Sequence, residues 1–254
     1  MTTPIRGRFD RAGATYEAAA RVQRLVAARL AALCPPVLSG RVLEIGAGSG
    51  LLTRNLTPRL APGAAYVALD LSPGMLTHAA MPGATKLAAD GEHPPFLPGT
   101  FDFLASASAM HWYADPATSF AVDLALLRPG GGFAIAVYVD GTLGELEEAS
   151  RATGFGSIYP MRPAAYYKAL FTDLTGELAR FEEKRHVVTY GSVGELLRAL
   201  QGAGVTHTPG TKVGSPTRYR KFVRYYAKRF GGDAGVSATY ATLYAWGRRA
   251  PGAS

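Results

Sequence analysis

The spacing of apolar positions changes along the chain, and each change marks an element. Over residues 8–33, Tyr16, Ala19, Ala20, Val22, Leu25, Val26, Arg29 and Leu30 recur near a 3.6-residue period, which predicts a helix. Cys34-Pro35-Pro36 ends it, because proline lacks the N–H that the next turn needs. Short apolar runs then alternate with helical ones. Strands are predicted at 41–45, 65–69, 85–89, 101–106 and 133–138, and helices at 49–59, 72–80 and 116–127. Ser72 is placed to cap the second of these helices, with Pro73 at its first position. Pro62-Gly63, Pro82-Gly83 and the run at 128–132, RPGGG, read as turns. A helix at 143–152 follows, then a stretch at 155–171 that mixes tyrosines with Pro160 and Pro163 and reads as a lid. A strand at 181–190, an amphipathic helix at 192–203, a basic helix at 216–230 and a last strand at 238–246 complete the chain.

Strand and helix alternate from 41 to 138, which implies an α/β fold with a doubly wound parallel sheet and right-handed crossovers. Ligands of such sheets sit beyond the carboxyl ends of the strands. Glu44, Asp70, Asp90 and Ser106 lie at or near such ends, so the fold converges them on one crevice. There is no internal repeat and no low-complexity linker. One domain is expected, with its core at about 37–138 and 179–250 and a cap at about 1–36, 139–178 and 192–230.

A length of 254 residues and a hydrophobic share of 48% suit such a domain and exclude disorder. Cys34 is the only cysteine, so neither an intramolecular disulfide nor a cysteine-rich metal site is expected. The N-terminal MTTPIRGRFDRAG lacks an apolar signal core, and the longest apolar run, 133–139, is too short to span a bilayer. The expectation is a cytoplasmic protein without a membrane partner. Lysine and arginine number 27 against 19 acids, a formal charge of +8, which favours an acidic partner. No zinc-finger spacing, RNP-like motif or basic tail is present, so nucleic acid stands behind an acidic protein or an anionic substrate.

The chemistry centres on residues 41–50, RVLEIGAGSG. A strand, a glycine turn and a helix build a nucleotide pocket in α/β chains. Gly46 and Gly48 permit positive φ and close backbone approach. A dinucleotide fingerprint has its third glycine at the sixth position; here Leu51 holds that place and the third glycine is Gly50. The pattern Glu-x-Gly-x-Gly-x-Gly resembles motif I of the class I S-adenosylmethionine (SAM) methyltransferases. Asp70 ends the second strand, where a carboxylate can accept both ribose hydroxyls of an adenosine, in a SAM or an NAD enzyme alike. Asp90-Gly91 ends the third, placed for an adenine amino group or for a simple turn. His111 and Trp112 follow the fourth strand. His111 reads as a general base or a hydrogen-bonded wall, Trp112 as a cavity wall or core packing, and Tyr16 as a residue closing over the cofactor or packing.

VLEIGAGSGLLTRNL, ALDLSPGML, AADGEHPPF, FDFLASASAMHW and LLRPGGGFAIAVY together resemble a SAM methyltransferase core. The flanks resemble one family within it, the malonyl-acyl carrier protein O-methyltransferases of biotin synthesis. The resembling segments are FDRA, ATYE and Val22-Gln23 at the N-terminus, GTLGEL at 141–146, LRALQGAGVTH at 197–207 and Thr239-Tyr240. His111 stands where that family has glutamine, and Gln201 where it has lysine. The resemblance implies a seven-stranded Rossmann-like sheet with a helical cap. It also implies a SAM site of Glu44, Gly46, Ala47, Gly48, Gly50, Asp70, Leu71, Met75, Asp90, Gly91 and Ser106. Tyr16, Trp112 and Arg198 would orient the acceptor. The implied acceptor is a malonyl carboxylate, which is ionised at neutral pH and needs no base. The implied partner is an acidic acyl carrier protein, with Arg218, Arg220, Lys221 and Arg224 as its docking site. Rival readings are a small-molecule O-, N- or C-methyltransferase with His111 as base, an RNA-binding or RNA-modifying protein, and a non-catalytic SAM-binding subunit.

Overall fold

The computed structural model describes residues 20–202 and 215–250. The first part of the helix predicted at 8–33, with Tyr16, lies outside the described residues, as does 203–214. Within them α1 (Arg21–Leu33) buries Val22, Val26 and Leu30 along one stripe. The buried Cys34 thiol donates to the Leu30 carbonyl at 3.3 Å where the helix ends.

The strands are β1 (Arg41–Ile45), β2 (Ala65–Asp70), β3 (Thr85–Ala88), β4 (Phe101–Ala107), β5 (Leu127–Tyr138), β6 (Ala179–Tyr190), β7 (Gly231–Gly232) and β8 (Gly235–Arg248). Seven of them form the sheet in the order β3-β2-β1-β4-β5-β8-β6, and the two-residue β7 pairs with β8 as an eighth. The first five run parallel; β8 is antiparallel to both neighbours. This is the doubly wound Rossmann-like arrangement that the alternation of strands and helices implies, and the strand order reverses direction at β1, beside β4.

Both faces of the sheet are covered, so its central strands are apolar on both sides. Val42 and Leu43 are fully buried in two separate clusters, one on each face. Each contributes about 1.5–3 kcal/mol by leaving water. On the first face lie α1, α2 (Thr53–Leu56), α3 (Pro73–His78), α5 (Gly144–Thr153), α7 (Val193–Gly202) and α8 (Pro216–Phe230). On the second lie α4 (Pro116–Ala125) and α6 (Ala164–Thr175). Aromatic rings fill the second layer: Phe171 meets Phe120 edge-on at 5.1 Å and stacks on Phe133 at 5.6 Å.

Three predicted elements differ. The glycine-rich run at 128–132 is no turn between elements but an irregularity inside β5: Leu127 pairs with Phe101, and Gly132 next pairs with Phe103. The residues looped out are held from the far side, where Gly130 N–H donates to Arg249 O and Arg249 N–H to Gly131 O. The helix predicted at 49–59 is shorter, α2 followed by a single 3₁₀ turn at Thr57–Arg59. The lid predicted at 155–171 is irregular only to Pro163, where α6 begins.

Candidate active site

The turn after β1 is fastened to the end of β2. The amides of Gly46 and Ala47 both donate to the Leu69 carbonyl, at 2.8 and 3.0 Å. Gly46 and Gly48 have φ of +73° and +54°. A Cβ on Gly46 would fall 2.1 Å from the Ala109 Cβ, so the bare glycine backbone of the turn packs directly on the Ala109 methyl of the loop after β4. Asp70 completes the turn: one carboxylate oxygen accepts from Gly48 N–H at 2.7 Å, the other from Ser72 N–H at 2.8 Å. Ser72 caps α3 as its sequence predicts, accepting from Met75 N–H at 3.1 Å.

These residues wall an open-mouthed cavity at the carboxyl ends of β1, β2, β3 and β4, about 1080 Å³ when the solvent in its mouth is included. Of the predicted cofactor residues, Glu44, Gly46, Ala47, Gly48, Asp70, Leu71, Met75, Asp90 and Gly91 line it. Gly50 does not: with φ of +82° it turns back onto Met81, and its N–H donates to Ala47 O. Ser106 does not either. β4 runs one residue further than predicted, so Ser106 stays inside the ladder, fully buried, and Ala107, Ser108 and Ala109 take the rim.

Glu44 forms the floor. It is 1% exposed, and its Oε2 accepts from Thr53 Oγ1 at 2.5 Å and Tyr66 OH at 2.7 Å. Burial pushes its carboxyl up to about 7 against the pull of those two donors. Asp90 folds its own loop, its Oδ1 accepting from Glu92 N–H at 3.0 Å. Ser108 is held in the left-handed region at φ +58°, a conformation that side-chain residues adopt where surroundings impose it. Its hydroxyl donates to the Tyr138 phenol at 3.2 Å.

The predicted acceptor residues separate. Trp112 lines the cavity and packs against Tyr159 of the 155–163 segment, ring centroids 4.9 Å apart. His111, in the same 3₁₀ turn (Met110–Trp112), does not line it. Its ring is buried between Trp112 and Tyr138, at 5.0 and 4.9 Å, and its Nδ1 has no partner among the described residues. Desolvation holds its pKa down at about 3, so it is neutral at pH 7. Position speaks against the base reading of His111, since its ring does not line the cavity, and a lowered pKa makes the neutral ring a weak proton acceptor. Arg198 is exposed on α7, whose buried stripe of Val193, Leu196 and Leu200 takes the opposite side, and it does not reach the cavity lining. Arg218, Arg220, Lys221 and Arg224 are all exposed on α8, and none has an acidic partner among the described residues.

Two lining residues on α1 are not among the predicted site residues. Gln23 and Ala27 close the cavity from above the turn. Gln23 is buried, and its Oε1 is an acceptor without a partner among the described residues. The signal was available: a polar residue sits in the buried helical row Ala20, Gln23, Ala27. Tyr113 is a further wall residue outside the prediction.

Comparison with known proteins agrees with this geometry. Residues 43–135 match the family described as Methyltransferase domain. A malonyl-[acyl-carrier protein] O-methyltransferase of Geobacter sulfurreducens is 32% identical, covering 96% of this chain and 98% of the relative. One of Dechloromonas aromatica is 31% identical, covering 96% and 94%. Among solved structures, the YcgJ protein of Bacillus subtilis superposes with a TM-score of 0.63 at 13% identity, over 90% of this chain and 99% of that one. The glycine turn, the acids at the ends of β1, β2 and β3 and a likeness that runs the length of the chain carry one conclusion: this protein is a class I SAM-dependent methyltransferase and belongs to the malonyl-[acyl-carrier protein] O-methyltransferase family.

Proposed function

We propose that the protein methylates the free carboxylate of a malonyl group attached to an acyl carrier protein. SAM, when bound, supplies an electrophilic methyl group. The cavity residues fit that cofactor: Asp70 and Asp90 offer carboxylates for ribose and adenine groups, and the unpartnered Gln23 Oε1 offers an acceptor to an ammonium group. Cysteine-rich or clustered metal ligands are not part of the reading.

The observation that carries the acceptor assignment is the sealed His111. The histidine of the β4 loop is turned into the core, out of reach of an acceptor in the cavity, and its desolvated ring is a weak base. A carboxylate, with a reference pKa of about 4, asks for none. The chain's task is then to hold one carboxylate oxygen in line with the methyl group, about 3 Å away, and to exclude water. Trp112, backed by Tyr159, is the wall suited to both.

The exposed cations of α8 supply the docking face for the acidic carrier, by long-range attraction more than by contact energy. α8 is also connected to the cavity rim. Phe155 packs on Tyr219 and Phe222 of α8 at 5.4 and 5.2 Å, and four residues later Tyr159 meets Trp112. A carrier seated on α8 therefore lies one short segment away from the acceptor wall. The same reading treats the chain as one methyltransferase domain with a cap, working in the cytoplasm as a biosynthetic enzyme.

Transfer of labelled methyl from SAM, assayed side by side with malonyl-carrier protein, malonyl-CoA and RNA, tests the proposal. Malonyl-carrier protein is expected to be the best acceptor by kcat/KM. Preference for RNA, or for an unrelated small molecule carrying a hydroxyl or amine, defeats it.

A further inference from the structure

Behind the cavity wall lies an acid with no role in methyl transfer. Asp123 sits on α4 with no solvent exposure, among Phe120 and Leu124. One of its oxygens is 2.8 Å from the Tyr113 hydroxyl; the other is buried without a partner among the described residues. The same Tyr113 hydroxyl is 3.1 Å from the carbonyl oxygen of Gly91. Gly91 lines the cavity beside Asp90, and it has no slack: a Cβ there would come within 2.7 Å of Ile45 and 3.0 Å of the Tyr113 oxygen. The next residue is tied to the same helix, because Glu92 Oε1 accepts from the N–H groups of Ala114 and Asp115 and from the Ser119 hydroxyl. The adenine-side loop is thus referenced to α4 at two points, one of which runs through Tyr113.

We propose that Asp123 is a positioning residue for SAM binding: through Tyr113 it holds the Gly91 carbonyl, and with it the Asp90 carboxylate, in place. The proposal rests on the cavity being the SAM site. Packing does not explain an acid here, since a leucine of similar size fills an apolar helix face without the desolvation cost. Hydrogen-bond logic does. A phenol has one proton and two neighbours that accept. If Asp123 is protonated it donates to the Tyr113 oxygen, and the phenol proton is left for Gly91 O. If Asp123 ionises, the phenol proton turns to the carboxylate and Gly91 O loses its donor.

The surroundings favour the first state. Burial raises the Asp123 carboxyl to about 8, with the negative Glu92 adding to the rise and the Tyr113 hydroxyl opposing it. The groups acting on Tyr113 in turn are Asp123, Glu92 and Asp90, all acids, and they and its burial keep the phenol well above its usual range. Asp115, at the start of α4, is exposed and engaged with Thr118. Among the described residues no cation acts on the Asp123–Tyr113 pair, so the relay reverses as pH rises through the Asp123 value and not before.

The test is SAM affinity by calorimetry at pH 7 and pH 9 for the wild type, Asp123→Asn and Asp123→Leu, with KM for SAM and kcat measured in parallel. Asn keeps a donor toward the phenol at every pH; Leu has none. Asp123→Leu is expected to weaken SAM binding about tenfold at pH 7, the loss of one hydrogen bond, through KM and not kcat. Asp123→Asn should match the wild type at pH 7. Between pH 7 and 9 the wild type should lose affinity relative to Asp123→Asn; that difference removes the contribution of Glu44, which both proteins share. If Asp123→Leu does not fold, the pH comparison of wild type with Asp123→Asn decides alone. Equal affinity in all three at both pH values overturns the proposal and leaves the cavity assignment standing. A wild type that binds no SAM overturns both.

Discussion

His111→Gln separates the two chemistries that a residue at this position can serve, and the structure sets the size of the effect. The imidazole is fully enclosed, and desolvation alone lowers its pKa from 6.5 to about 3. The folded state therefore binds fewer protons than the unfolded state between those values. For a group lowered on folding, stability is present above the unfolded pKa and is lost as pH falls toward the folded one. Going from pH 7 to pH 5, the unfolded histidine gains a proton that the folded one refuses, which costs about 2 kcal/mol of stability. Glutamine does not titrate, so His111→Gln should be less acid-sensitive than the wild type by that amount. Glu44 and Asp123, raised to about 7 and about 8, work in the opposite sense and lose stability as pH rises from about 4. They are common to both proteins and cancel in the comparison. Urea unfolding of each protein at pH 7 and pH 5 gives the difference directly. Methyl transfer should survive the substitution, because the imidazole touches no acceptor. Equal acid sensitivity would mean that His111 is solvated. A several-hundred-fold fall in kcat with SAM affinity intact would make it a base and return the small-molecule reading.

Asp70→Ala should weaken SAM binding by about 1–3 kcal/mol, since it unpairs ligand hydroxyls and frees the Gly48 and Ser72 amides; unchanged affinity by calorimetry, or NAD bound in place of SAM, refutes the cavity assignment. Gly46→Ala should abolish SAM binding while much of the fold persists, because φ of +73° and the 2.1 Å approach to Ala109 force the turn open; wild-type affinity in that variant contradicts the described turn. Reversing Arg220, Lys221 and Arg224 to glutamate should raise KM for malonyl-carrier protein about tenfold or more and leave a small malonyl thioester nearly unchanged. Added salt should mimic that effect in the wild type, with screening over about 10 Å at 0.1 M; an equal effect on both substrates makes α8 part of the pocket instead.

The parallel strands were legible because they are short apolar runs set off by turn signals such as Pro62-Gly63 and Pro82-Gly83, and the convergence of Glu44, Asp70 and Asp90 follows from strand direction alone. What escaped depends on single-residue offsets or on distance along the chain. Ser106 was misplaced because β4 extends by one residue, which moves the rim to Ala107–Ala109. The glycine run at 128–132 has the composition of a turn, and only its pairing with Arg249, more than a hundred residues away, turns it into a bulge. The outward placement of Arg198 is itself legible: the row Val193, Leu196, Leu200 puts it on the outer face of α7. Tyr113 and Asp123 join a loop to a helix through one hydroxyl, and no periodicity encodes that contact.

The central claim is that the methyl group ends on the malonyl carboxylate while malonyl remains on its carrier. Mass spectrometry of malonyl-carrier protein after turnover with SAM tests it most directly, with the acyl-bearing fragment examined before and after mild ester hydrolysis. The account predicts a fragment heavier by one methyl group, located on the malonyl end and removed by hydrolysis. An unmodified malonyl group, or a methyl on carbon or on the carrier polypeptide that survives hydrolysis, would contradict it.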